Sequence, residues 1–342
     1  MKPPIYENHP LKSYNTFGVE ASARYFVEIA REEELVYLFT EQKELLRQPV
    51  LVLGGGSNML FTRDFEGLVI HIMIKGITHE TSGPEAIVTA GGGIIWNDLV
   101  WYCVDHGFGG IENLALIPGT AGAAPIQNIG AYGTELKDVF VNCRVFDTHN
   151  VEFLTLGKQD CKFAYRDSVF KQEAKGRYIV TQLTLKLSLN PVLNTTYGAI
   201  EAELARRNIH NPSIRDIAEV VSSIRTDKLP DPATIGNSGS FFKNPIISAE
   251  QLKTLQLALP DTDFVYYPVD SGRVKLAAGW LIEQCGWKGK RVGDTGTWKN
   301  QALVLVNHNK ATGADIYNLS EQIISDVKSK FGITLEREVN LI

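Results

Sequence analysis

The chain holds 342 residues, 44% of them hydrophobic and 21% charged, and its net charge is −5. That length accommodates two or three domains. The charge excludes the basic footprint of a nucleic-acid binder, although a local cluster of cations or N–H groups would still take a small anion, and no run of about 18 apolar residues offers a membrane helix.

Four scattered cysteines, Cys103, Cys143, Cys161 and Cys285, form no Cys-x-x-Cys pair. They read as free thiols in a reducing compartment. The seven histidines show no His-x-x-x-His or His-Glu-x-x-His spacing, so no bound metal is expected. The first residues lack the apolar core of a signal peptide, which points to a soluble, cytoplasmic protein.

In chain order, Asn15 to Gly18 is turn-like and Tyr25 to Ile29 is a short strand. Residues 31–47 read as a helix with Leu35, Leu38, Phe39, Leu45 and Leu46 near one face, ended by Pro49. Residues 49–53 form an apolar strand that empties into Gly54-Gly55-Gly56-Ser57-Asn58. The spacing is not Gly-x-Gly-x-x-Gly and no clear helix follows, so a Rossmann dinucleotide site is rejected. Another strand, Leu68 to Ile72, comes next. Residues 86–90 are a strand and 95–105 a helix, with Trp96, Leu99, Val100, Cys103 and Val104 as its apolar side and Gly107 as its stop.

Asn113 to Gly133 then runs through small residues and glycines with no helix or strand period. Glycines let another group approach the backbone, and exposed N–H groups in such turns make an anion-binding concavity. Two readings stand open here: a loop around a nucleotide cofactor's phosphates, or a buried turn where packing needs small side chains. Residues 139–147 and 151–156 form a hairpin. Arg166-Asp167 sits among aromatic and apolar neighbours, where local sequence favours a structural ion pair at a strand end over a ligand-facing arginine. A strand over 178–187, a loop to Gly198 and helices from Ile200 and Ser213 follow, the last ending near Ile224.

Arg225 to Pro232 is charged and bears prolines, as a domain boundary or functional loop would. Gly236 to Pro245 brings small polar residues into Phe241-Phe242-Lys243-Asn244. Ser248-x-x-Gln251 caps a helix to Leu259, residues 275–286 read as a helix, and 301–307 as a buried strand. Thr312-x-x-Asp315 caps a long helix to Lys330, and 333–341 alternates as a strand with Glu336 and Glu338 on its polar face. Pattern alone gives an α+β or mixed α/β, nucleotide-binding protein.

Taken together, Asn15-Thr16-Phe17-Gly18, Leu53 to Asn58, Ile117 to Gly122, Pro125 to Gly133, Tyr165-Arg166-Asp167-Ser168, Gly239 to Pro245, Ala277 to Ile282 and Leu335 to Val339 closely resemble the UDP-N-acetylenolpyruvoylglucosamine reductase family, in the family's own order and across nearly the whole chain. Length and the loop bearing Tyr197 resemble its longer, enterobacterial-type branch. The resemblance implies an α+β fold with an FAD-binding module of the vanillyl-alcohol-oxidase type. Residues 1–225 would form its two lobes, completed by 306–342, and residues 226–305 a smaller substrate-binding domain.

It implies an oxidoreductase of peptidoglycan precursor synthesis. NADPH would give hydride to non-covalent FAD, which would pass it to the enolpyruvyl group of a UDP-sugar. Arg166 and a protonated Glu338 would stabilise the charge that builds on C2 and its carboxylate. Ser240 would protonate C2, with Lys243 and Lys228 as candidates to polarise it. Gly54, Gly55, Gly56, Ser57, Asn58, Pro118, Gly119, Thr120, Gly122, Ala123, Ala124, Gln127, Asn128, Gly130, Ala131 and Tyr132 would hold FAD. Lys228, Asn244 and Gln301 would hold the substrate diphosphate, Arg225 and Lys243 would add substrate contacts, and Tyr197 would be a lid. A monomer with no nucleic-acid or membrane partner is expected. A related FAD enzyme on another substrate and a non-catalytic nucleotide-sugar binder are the competing readings; the presence of Arg166, Ser240 and Glu338 together argues against both.

Overall fold

The computed structural model describes residues 2–342, which divide into two compact units. The first contains residues 2–10, 22–56 and 64–226; the second contains 11–21, 57–63 and 227–342. Residues 306–342, expected with the first module, group by their contacts with the second unit.

Two large sheets and one short pair, Gly130–Ala131 with Thr134–Glu135, lie in the first unit. One large sheet has the strand order Ile5–Pro10, Ser22–Ile29, Phe65–Ile72, Val50–Leu53. Its outer pair is antiparallel, and the other two pairings are parallel. Parallel pairing needs a crossover, and helix Glu32–Glu41 provides it between Ser22–Ile29 and Val50–Leu53. Leu35 and Leu38 of that helix are buried with Val27, Ile29, Leu68 and Ile70. The second sheet is antiparallel throughout, in the order Glu152–Gly157, Phe140–Asp147, Tyr178–Ser188, Glu85–Gly91, Ile77–Ser82. Its core joins Val88, Leu183 and Leu185 to Leu99, Val100 and Cys103 of helix Trp96–Asp105 and to Ile217, Val220 and Val221 of helix Ile214–Lys228.

The second unit carries an antiparallel sheet ordered Gly236–Ser240, Gln301–Asn307, Thr295–Trp298, Arg291–Val292. A smaller sheet is ordered Ile246–Ser248, Arg273–Leu276, Tyr266–Asp270. Helix Gly313–Phe331 buries Ile316, Leu319, Ile323, Val327 and Phe331, one residue per turn as its period requires. Thr312 and Asp315 cap its start reciprocally, and Gly332 closes it in the left-handed conformation.

Several expected elements differ. The helix read over 31–47 stops at Glu41, because Gln42 leaves helical dihedrals; Leu45–Arg47 is a separate 3₁₀ turn. Lys275 and Leu276 end a strand, and the helix proper is Ala278–Gln284. Arg225 to Lys228 belongs to helix Ile214–Lys228, not to a loop. The C-terminal segment buries Ile333, Leu335 and Val339 in alternation, but only Asn340–Leu341 pairs as a regular strand, with Met59–Leu60. Alternate burial requires an extended chain; a ladder also requires a continuous partner. Strands Ile5–Pro10 and Ile77–Ser82 escaped the sequence reading because they are mostly exposed edge strands without an apolar alternation.

Candidate active site

The first unit presents two glycine loops in contact. A Cβ on Gly54 would lie 2.6 Å from Thr120 Oγ1, and one on Gly55 would lie 2.9 Å from Gly119 Cα. Backbone meets backbone here, which only residues without side chains permit. The loop is anchored where Trp96, fully buried, donates from Nε1 to Leu114 O at 3.0 Å and Trp96 N donates to Gly119 O at 3.0 Å.

Not every N–H of the expected anion-binding turn is available. Ala121 N donates to Ile94 O, Gly122 N to Gly92 O, and Ala123 N and Ala124 N to Thr120 O. Those four amides build the loop. Asn128, expected to hold cofactor, is fully buried; its Nδ2 donates to Glu135 Oε2 and Ala164 O, and its Oδ1 accepts from Lys137 N. Its carboxamide is spent on the fold. Ser57 and Asn58 group with the second unit, where Asn58 O accepts from Asn340 N and Nδ2 at 3.1 and 2.9 Å.

Beyond the glycines lie two arginines and two tyrosines. Arg166 occupies the left-handed region with φ 53° and donates from a terminal guanidinium nitrogen to Gly130 O at 2.8 Å. The strand-end ion pair with Asp167 favoured by local sequence is not how the segment is built. It is a turn, and Asp167 accepts from Gln172 and from Ser168 N. Arg225 Nε is shielded from solvent and meets no hydrogen-bond acceptor among the described residues. Burial pushes the Arg225 guanidinium's pKa down; Tyr132 opposes this and the like charge of Arg166 adds to it. Burial likewise raises the Tyr132 hydroxyl, with Arg225 opposing. Tyr132 and Tyr197 meet edge to face, centroids 5.3 Å apart.

A shielded guanidinium beside a second guanidinium is costly unless an anion completes it. Sequence reasoning named all four residues but missed what ties their loops together. Asn113, buried, donates to Tyr132 O at 3.1 Å and Asn194 O at 2.9 Å, and Asn194 Nδ2 donates back to Gly133 O at 3.2 Å.

The second unit holds the remaining candidates. Ser240 is exposed at the end of Gly236–Ser240, just before buried Phe241 and Phe242. Glu338 N donates to Phe241 O at 2.8 Å and Lys243 N to Glu336 O at 2.8 Å, so the segment after Ser240 runs against the one bearing Glu338. Lys243 Nζ salt-bridges the exposed Glu336 Oε2 at 3.1 Å, a partner it can exchange at little cost. Asn244 Oδ1 accepts from Ala278 N at 2.9 Å, which leaves its amide protons for other acceptors. Gln301 Oε1 accepts from Leu303 N, and Lys228 lies exposed in the last turn of its helix.

Comparison with known proteins decides the family. Residues 231–342 match the C-terminal domain of UDP-N-acetylenolpyruvoylglucosamine reductase, and residues 23–157 match an FAD binding domain. The UDP-N-acetylenolpyruvoylglucosamine reductase of Flavobacterium johnsoniae is 47% identical over 340 residues, covering 99% of both chains. That of Pseudomonas aeruginosa is 46% identical over 98% of both. The chain belongs to the UDP-N-acetylenolpyruvoylglucosamine reductase family. The solved reductase of Thermus caldophilus, 26% identical, superposes with a TM-score of 0.68 over 100% of this chain and 99% of its own.

As a UDP-N-acetylenolpyruvoylglucosamine reductase the chain is an oxidoreductase with an FAD-binding α+β module, and side chains at Gly54 or Gly55 would run into Thr120 and Gly119, so the close packing of the two glycine loops depends on their absence. Gly55→Ala is therefore expected to weaken FAD binding about 5- to 150-fold, the equivalent of an overpacking cost of about 1–3 kcal/mol. Flavin absorbance per protein after dialysis measures it. Full retention would mean that the two loops part without cost.

Proposed function

We propose that the reductase reaction of this family, conversion of UDP-N-acetylglucosamine enolpyruvate to UDP-N-acetylmuramate with NADPH as donor, is carried in this chain by Arg166, Ser240 and Glu338. The observation that supports it best is the buried guanidinium of Arg225 set against the like charge of Arg166 and the hydroxyl of Tyr132. Bound FAD would supply the hydride-transfer chemistry between NADPH and C3 of the enolpyruvyl group. Ser240 Oγ gives the proton that C2 needs and recovers one from solvent. Arg166 and Glu338 act where negative charge develops on C2 and its carboxylate, so their hydrogen bonds strengthen in the transition state.

Arg225, Lys228, Lys243, Asn244 and Gln301 bind substrate, the diphosphate falling to Lys228, Asn244 and Gln301, and Tyr197 is the lid. Gly54 to Ser57, Pro118 to Thr120, Gly130 and Tyr132 hold FAD without a covalent bond; neither loop contains a cysteine or histidine. Residues 1–225 are proposed as the FAD-holding part and 226–305 as the substrate domain. The chain is assigned to the longer, enterobacterial-type branch on the strength of its Tyr197 loop. It works as a cytoplasmic monomer; no helix among the described residues is long and apolar enough to cross a membrane.

Anaerobic absorption spectroscopy of the holoenzyme tests the reading. Flavin bands that bleach with NADPH and return with the enolpyruvyl nucleotide sugar are expected. Bleaching without return would reject the substrate.

A further inference from the structure

Ser240 is reached through an irregular piece of backbone. In the pairing of Gly236–Ser240 with Gln301–Asn307, Asn237 opposes Val306 and Ser240 opposes Val304. Three steps on one strand match two on the other, so one residue bulges out. The bulge turns at Gly239, φ +69°, a conformation glycine adopts without strain. A bulge of this kind re-aims the side chain that follows it, and here that side chain is Ser240.

What holds the bulge is Asn237. It is 2% exposed, and each of its side-chain polar atoms is engaged. Oδ1 accepts from Gly239 N at 3.0 Å, across the turn of the bulge. Nδ2 donates to Pro230 O at 3.1 Å and Ile235 O at 2.9 Å. The backbone is clamped as well: Asn237 N donates to Thr16 O at 2.9 Å, and Phe241 N, just past Ser240, donates to Leu303 O at 2.9 Å. The chain is thus fixed on both sides of Ser240, and between the two clamps the Asn237 carboxamide forms an internal strut.

We propose that Asn237 is a positioning residue for proton delivery: through the Gly239 amide it fixes the bulge that sets where the Ser240 hydroxyl stands. This rests on the role of Ser240 as proton donor. It adds a residue that touches neither substrate nor cofactor. Asparagine suits the place because one short side chain supplies an acceptor and two donors in fixed geometry. Serine at this position would keep an acceptor for Gly239 N and offer one O–H donor, on a shorter side chain, in place of two N–H donors.

The test measures both half-reactions of the holoenzyme by stopped flow in Asn237→Ala, Asn237→Ser, Ser240→Ala and the Asn237→Ala/Ser240→Ala double variant. Misplacing a reacting group by an ångström slows a step by up to about 100-fold, so Asn237→Ala should slow reoxidation of the flavin by nucleotide sugar about 10- to 100-fold. Flavin reduction by NADPH and the KM for nucleotide sugar should stay within about two-fold, and Asn237→Ser should recover part of the lost rate. In the Ser240→Ala background, Asn237→Ala should add nothing, since residues acting through one another are not additive. Independent, multiplying effects, or equal slowing of both half-reactions, would overturn the positioning role. Rapid reoxidation in Ser240→Ala alone would instead sink the proton-donor reading. If Asn237→Ala does not accumulate as folded protein, Asn237→Ser carries the same comparison, and its full additivity with Ser240→Ala would count against the proposal.

Discussion

Ser240→Ala should slow reduction of the nucleotide sugar about 10²- to 10⁴-fold while leaving NADPH oxidation near its normal rate. The range is that of losing a general acid. The split between half-reactions follows from chemistry: hydride transfer from NADPH needs no proton from this hydroxyl, whereas C2 of the substrate does. Ser240 is exposed, and the residues around it are held by their own bonds, so removing one oxygen should cost little stability. Stopped-flow traces at the flavin band, taken with each substrate alone, give both rates. Equal loss in the two would mean that Ser240 supports the flavin rather than the proton.

Arg225→Met should separate binding from stability in the opposite way to most buried substitutions. The wild-type guanidinium is pressed by the like charge of Arg166, and its Nε is shielded from solvent with no acceptor among the described residues. Removing it takes away a repulsion, so the melting temperature of the ligand-free protein should hold or rise. The anion that belongs there then loses a charged hydrogen bond of about 1.5–3 kcal/mol, raising KM for the nucleotide sugar about 10- to 150-fold. Melting curves and initial rates decide. A lower melting temperature with unchanged KM would make Arg225 a structural arginine.

Much of this architecture is legible in the sequence where a period is long and its face buried. Helix Gly313–Phe331 is one example, with its apolar ridge and Thr312 cap; the hairpin over residues 140–157 is another. Edge strands such as Ile77–Ser82 are not legible, because exposure removes the alternation that would reveal them. The site divides similarly. Its glycines, Arg166, Ser240 and Glu338 stand in motifs, since chemistry fixes residue type. The asparagines that hold those motifs, Asn113, Asn128 and Asn237, look in sequence like ordinary loop residues. Their work depends on carbonyls brought close only by folding: Asn194 O to Asn113, Ala164 O to Asn128, Pro230 O to Asn237. Asn128 even sits inside a stretch expected to hold cofactor, yet its carboxamide bonds Glu135 and the backbone at Ala164 and Lys137.

The hydrogen bonds from Asn113 to Asn194 O and from Asn194 to Gly133 O also limit the reach of Tyr197. Asn194 is pinned to the loop that carries Tyr132, and Tyr197 immediately precedes helix Gly198–Arg206. Only Thr195 and Thr196 lie between the pin and the tyrosine, so the tether is three residue steps, about 10 Å at full extension. The ring can therefore pivot over its own neighbourhood but cannot travel across the molecule. Residues upstream of the pin, such as Val192 at 99% exposure, lie outside that swing and are free to drift in evolution without changing its arc.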